Sequence, residues 1–239
     1  MTFLFSENTE RNLDQDIDVQ VPAGGIMLSG CLHVPKQTQI LVILAHSHDD
    51  ARSGVRNRYV TGILHANHIG TLHINLLTPE EEQLDEHLRE LHFDTLMLAG
   101  RIDRIVEWLR VQPLSHQLKL AYFCSGTCAG AALIACAQHP GYILTAVCFG
   151  GRPDLADSFL PKVKAPILLL VGENDELVME LNRKSILQLN KQSSLVVIPG
   201  ATHAFEEPGA LEDMTHHAVD WFTEQAAAPE KDQDTSASL

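Results

Sequence analysis

Ile40-Leu41-Val42-Ile43-Leu44 is the stretch on which the fold turns. It has no polar residue at alternate positions, so it does not suit a strand with one wet face. It suits a strand buried on both faces in the middle of a parallel sheet. Parallel neighbours need a crossover between them, and the residues that follow supply one. Tyr59, Val60, Ile63 and Leu64 recur at helical spacing before Gly70, and 71–76 returns to strand character, which completes a βαβ unit. A loop, 45–55, joins the first strand to that helix.

Working outward, apolar residues alternate over 16–21 and 26–34 on either side of Pro22-Ala23-Gly24-Gly25, the pattern of an antiparallel hairpin. Downstream, the acidic stretch 79–90 leads to a long amphipathic helix over about 93–111, with Leu98, Ile102, Ile105, Val106 and Leu109 on one stripe. Further strands are expected at 118–124, 145–149, 166–171 and 195–198, and helices at 129–138, 178–189 and 209–225. Strands alternating with helices in this way predict a mostly parallel, doubly wound α/β sheet flanked by helices, with an N-terminal antiparallel hairpin. Its ligand site belongs at the carboxyl ends of the strands. The 239 residues are expected to form one domain over 1–225. The tail 226–239 lacks apolar anchors and is expected to be disordered.

Composition narrows the partners. Apolar residues at 45% and charged residues at 20% suit a globular chain with a large core. The 31 acidic against 17 basic side chains, a formal charge of −14, repel nucleic-acid phosphates and anionic lipid alike. No segment approaches the roughly 20 apolar residues of a membrane span. The five cysteines are odd in number, widely spaced and accompanied by no secretory leader, so reduced thiols in a cytoplasm are expected. Gly24-Gly25 is an isolated turn rather than a phosphate-binding fingerprint, and no organic cofactor is expected.

Two loops carry the chemistry. Gly172-Glu173-Asn174-Asp175 follows the strand 166–171, and Pro199-Gly200-Ala201-Thr202-His203 follows 195–198. An acid and then a histidine, each on a loop after a strand and both downstream of a nucleophile, is the order of α/β-hydrolases. Asp175 would bond one imidazole nitrogen and fix the tautomer, so that the other nitrogen of His203 can take the nucleophile's proton.

From about 34 to 222 the chain resembles dienelactone hydrolase-like proteins. The resemblance rests on Arg56-Asn57-Arg58-Tyr59-Val60, Leu76-Leu77-Thr78-Pro79-Glu80-Glu81-Glu82, Gly150-Gly151-Arg152-Pro153-Asp154-Leu155, and Pro199 to His203 with Phe205-Glu206-Glu207-Pro208-Gly209. It implies an α/β-hydrolase fold and a Ser- or Cys-dependent ester or lactone hydrolase in which Asp175 and His203 match the acid and base.

The nucleophile elbow departs from that pattern. Aligned without gaps, the position of the family's serine falls on Gly126, with Cys124 and Cys128 where glycines are usual, and the nucleophile is gone. Shifted by two residues, Gly126-Thr127-Cys128-Ala129-Gly130 reads as a Gly-x-Cys-x-Gly elbow with Cys128 as nucleophile. Two residues of strand are roughly 6.6 Å, so the registers exclude one another. The oxyanion loop departs as well. Where relatives have a glycine-containing turn after His46, this chain has Ser47, His48 and Asp49, and a carboxylate aimed at a developing oxyanion raises the barrier.

Three readings follow. The first is a hydrolase of a small ester or lactone that uses Cys128, His203 and Asp175, with Ser47, His48 and Ala129 around the oxyanion. The second is a catalytically degenerate member that binds a small molecule or a partner protein, motivated by Gly126. The third is a metal-dependent hydrolase with His46, His48 and Asp49, and Asp50 beside them, as N and O ligands.

Overall fold

The computed structural model describes residues 13–47 and 54–228. Eight strands form one sheet in the order β1-β2-β4-β3-β5-β6-β7-β8. β1 (Asp16–Ala23) and β2 (Ile26–His33) make the expected hairpin, and β2 joins the sheet antiparallel to β4 (Gly70–Asn75). β3 (Ile40–His46), β5 (Lys119–Ser125), β6 (Thr145–Gly151), β7 (Ile167–Gly172) and β8 (Ser194–Ile198) continue it in parallel. The apolar run that opens β3 is buried along its whole length, as its composition requires.

α1 (Val55–Ala66) and α6 (Ala210–Ala227) cover one face of the sheet, while α3 (Thr95–Leu109) and α4 (Gly126–Gln138) cover the other. α5 (Glu176–Ile186) packs beside β7. α4 lies innermost: every residue from Cys128 to Ala137 is buried, which its run of alanines and glycine permits. Among the described residues no helix is long and apolar enough to cross a membrane.

Some boundaries differ from expectation, for local reasons. The acidic stretch is itself a helix, α2 (Pro79–Leu88), started by a capping box in which Thr78 and Glu81 bond each other's backbone N–H groups, with proline in the first turn. Asp94 caps α3 through Met97 N–H, so that helix starts at Thr95 rather than near Phe93. α4 starts at Gly126, ahead of the expected Ala129, which places Cys128 inside its first turn. α6 runs on to Ala227, and Lys119 Nζ donates to the Ala226 carbonyl at 2.8 Å, so the first residues assigned to the tail are helical. Residues 229–239, the rest of that tail, lie outside the described residues.

β4 lies on one side of β3 and β5 on the other, so the chain reverses its direction of travel across the sheet between them. Such a switch point leaves a crevice outside the carboxyl ends of the two strands.

Candidate active site

A cavity of about 510 Å³ occupies that crevice, bordered among others by His46, Ser47, Arg56, His92, Gly126 and Cys128. Its floor is the junction of β5 and α4. β5 ends at Ser125, and Gly126 turns the chain into the helix with φ +52°, a conformation that side chains disfavour and glycine accepts. Gly126 is pinned there: it is bridged to Gly151, and its carbonyl accepts a hydrogen bond from Arg152 N–H at 2.9 Å. A Cβ at Gly126 would meet nothing within 4 Å. The sharp turn therefore falls on the glycine of the ungapped register, and it faces open space.

Cys128 stands two residues into α4. It borders the cavity, but only 3% of its surface is exposed, and burial pushes its thiol up to about 11 against a smaller opposing effect of its hydrogen bond with Ser47. Among the described residues no hydrogen bond joins Cys128 to His203. Ala129 is fully buried against Gly151. Ser47 closes the β3 side of the cavity, whereas His48, Asp49 and Asp50 lie outside the described residues.

The other two predicted residues meet. β7 ends at Gly172, and the following turn brings Asp175 to the N-terminus of α5, where its Oδ1 accepts Val178 N–H at 3.4 Å. Its Oδ2 lies 2.7 Å from His203 Nδ1. The loops are laced together by Asn174 N–H to the Ala201 carbonyl, 2.9 Å, and Gly200 N–H to the Glu173 carboxylate, 2.8 Å. The His203 ring rests over Gly150, where a Cβ would come within 3.5 Å of its Cε1. Gly150 adjoins the Gly151 that is bridged to Gly126, so the imidazole stands beside the elbow. The His203 side chain is 63% exposed and that of Asp175 is 12% exposed, and neither belongs to the described lining of the cavity.

Three features of the cavity went unassigned in the sequence. Arg56 donates to the Ala204 carbonyl at 3.0 Å and lies 5.2 Å over the Phe149 ring; burial lowers its pKa, against the opposing charge of Glu206. Thr127 follows the elbow, so its N–H belongs to the first helical turn and has no intrahelical carbonyl to bond. His92 borders the cavity with Nδ1 hydrogen-bonded to the buried carboxylate of Asp85. Arg56 stood within a quoted motif, and the residue after the elbow follows from the register. Asp85 and His92 had no sequence signal.

His46 ends β3, and its Nε2 is buried without a hydrogen-bond partner among the described residues. Burial, followed by the charges of His73 and Arg56, lowers its pKa to about 3. Among the described residues no group of three or more His, Cys, Asp and Glu side chains is arranged to hold a metal ion.

Comparison with known proteins bears on the family and the fold. A family model described as the dienelactone hydrolase family matches residues 73–234. The structure of dienelactone hydrolase from Anabaena variabilis ATCC 29413 superposes with a TM-score of 0.84 at 43% identity, over 88% of this chain and 97% of that one. Est1E from Butyrivibrio proteoclasticus shares the fold, with a TM-score of 0.72 at 17% identity, over 88% of this chain and 99% of that one. Two Mycobacterium tuberculosis proteins, from strains CDC 1551 / Oshkosh and H37Rv, bear the name "Putative phosphoribosyl transferase"; each is 41% identical over 90% of this chain. The match takes in 48% of their length, so the chain spans about half of these curated relatives. Fold, the order of the acid and histidine loops, and similarity along most of the length converge: the chain belongs to the dienelactone hydrolase family.

Proposed function

We propose that this protein hydrolyses a small carboxylic ester or lactone, with His203 as base, Asp175 as its orienting carboxylate, and water as the attacking group. The observation that carries this reading is the 2.7 Å contact between His203 Nδ1 and Asp175 Oδ2 beside the elbow. A carboxylate on Nδ1 leaves Nε2 to accept a proton. Gly126 contributes no nucleophile, and the space a Cβ would face admits the reacting water. The water oxygen attacks the carbonyl carbon as its proton passes to His203. The oxyanion forms near the N-terminus of α4, where the N–H groups of the first turn, Thr127 among them, and the positive end of the helix dipole favour negative charge. Collapse then breaks the bond to the leaving oxygen.

Burial and a thiol pushed up to about 11 weigh against Cys128 as the nucleophile, because the thiolate is the reactive form. The free state of all five cysteines supports a reducing compartment such as the cytoplasm. The phosphoribosyl transferase name belongs to proteins about twice as long, of which this chain spans about half.

The test is hydrolysis of 4-nitrophenyl butanoate by the wild type, His203→Ala and Cys128→Ala. Loss of a base is expected to cost roughly 100-fold or more in His203→Ala, while Cys128→Ala stays near the wild type. A His203→Ala rate equal to that of the wild type overturns the reading. Gly126 also favours a second reading, a member that binds a small molecule without turning it over, for which wild-type hydrolysis would not exceed the buffer rate.

A further inference from the structure

His203 stands outside the described lining of the cavity, whereas Arg56 belongs to that lining and reaches the loop on which His203 sits. We propose that Arg56 is the positioning residue that holds His203 beside the elbow and joins the base to the cavity; this deepens the hydrolase reading above and rests on it.

Arg56 stands where its charge is locally unfavourable. It falls in the first turn of α1, just after the cap residue Gly54, and so faces the positive end of that helix. The guanidinium is also half-buried, and burial lowers its pKa against the opposing charge of Glu206. Departures from local preference of this kind gather where a residue serves a site. What the side chain reaches is the far loop. Its Nη1 donates to the Ala204 carbonyl at 3.0 Å, while its Cζ lies 5.2 Å over the Phe149 ring.

That loop needs holding. Phe205 is buried with φ +54°, a conformation that strains any residue with a Cβ and persists only where the surroundings impose it. Three contacts impose it here. Thr202 gives its N–H and its hydroxyl to the Glu207 carboxylate at 3.0 and 2.5 Å, which closes the loop on itself. The Phe205 ring meets Phe149 edge-on at 6.5 Å. Arg56 adds the hold from outside the loop, on the carbonyl of the peptide that enters Phe205. Phe149 also precedes Gly150, over which the His203 ring rests. Stacked on Phe149 and bonded to Ala204, Arg56 therefore ties the loop that carries the imidazole to the strand end on which the imidazole lies. Without it the Ala204 carbonyl is free to turn, Phe205 relaxes, and His203 moves off Gly150 while the sheet stays as it is.

A residue that positions the base acts on the chemical step, and only through that base. Values of kcat and KM for 4-nitrophenyl butanoate are to be compared in the wild type, Arg56→Met, Arg56→Lys, His203→Ala and the double variant Arg56→Met with His203→Ala. Methionine keeps an unbranched apolar stem over Phe149 and removes the donors. Arg56→Met is expected to lose about 10- to 100-fold in kcat with KM within about threefold. Arg56→Lys, which keeps the charge and a donor, is expected to recover most of that loss. In the His203→Ala background the methionine change is expected to cost nothing further, because residues that act as a unit do not add. Where Arg56→Met does not fold, Arg56→Gln takes its place with the same expectations. An unchanged kcat, a loss confined to KM, or a loss as large without His203 as with it overturns the inference and leaves the hydrolase reading standing. A wild type no faster than His203→Ala overturns both.

Discussion

Gly126 holds a left-handed backbone at the turn from β5 into α4, and the space above it is open. Gly126→Ser should therefore fit without a clash, at a strain cost of about 1–3 kcal/mol for a side chain at positive φ. It should bring a hydroxyl beside His203. The expected outcome is a covalent adduct with a fluorophosphonate probe, seen by mass spectrometry in Gly126→Ser and absent from the wild type. No adduct in the folded variant would mean that His203 does not reach the elbow. This residue also marks the limit of what the sequence discloses. Both registers were legible in Cys124 to Gly130, but glycine tolerates either, and the choice lies in a backbone angle that residue types do not encode. Asp175 and His203 were legible because each follows a strand in the order the chemistry requires. Asp85 and His92 were not, because only the left-handed turn at Arg89 brings them together.

At the scale of elements, the site depends on two loops held at close quarters. A Cβ on Gly172 would lie 2.4 Å from the Ala201 carbonyl oxygen and 2.6 Å from that of Thr202, both backbone atoms that cannot swing aside. Gly172→Ala should push the end of β7 from the loop that carries His203. The expected cost is about 1–3 kcal/mol of stability, with a fall in ester hydrolysis greater than the drop in melting temperature explains; chemical denaturation and kinetics on one preparation check it. An unchanged rate would show that the His203 loop adjusts independently. The strands were the most legible elements, since uniform burial leaves an unbroken apolar run, as in β3. α2 was read only as an acidic stretch because a polar helix lacks an apolar stripe. Its start was nonetheless written in Thr78-Pro79-Glu80-Glu81, a capping box with proline in the first turn.

Across the whole molecule, partly buried histidines tie stability to pH. Burial, with the charges of His73 and Arg56, lowers His46 from 6.5 to about 3. Burial and the stacked His33 ring, against the opposing charge of Asp16, lower His65 from 6.5 to about 4. Both groups take up protons more readily in the unfolded chain, so their stabilisation is complete above about pH 6.5 and is lost as the pH falls toward their folded values. The urea midpoint should accordingly drop between about pH 7.5 and about pH 5, and drop less in His65→Asn; a midpoint that is flat over this interval would contradict the burial of these rings. The thiols carry a different consequence. All five are buried, Cys31 on the hairpin and the other four in β5, α4 and β6 at the centre of the sheet. An alkylating reagent added to the native protein therefore has to wait for the fold to open, and its labelling rate becomes a clock for breathing motions. A Cys31 signal that runs ahead of the central four would time the peeling of the hairpin from the β4 edge, separately from the opening of the sheet as a whole.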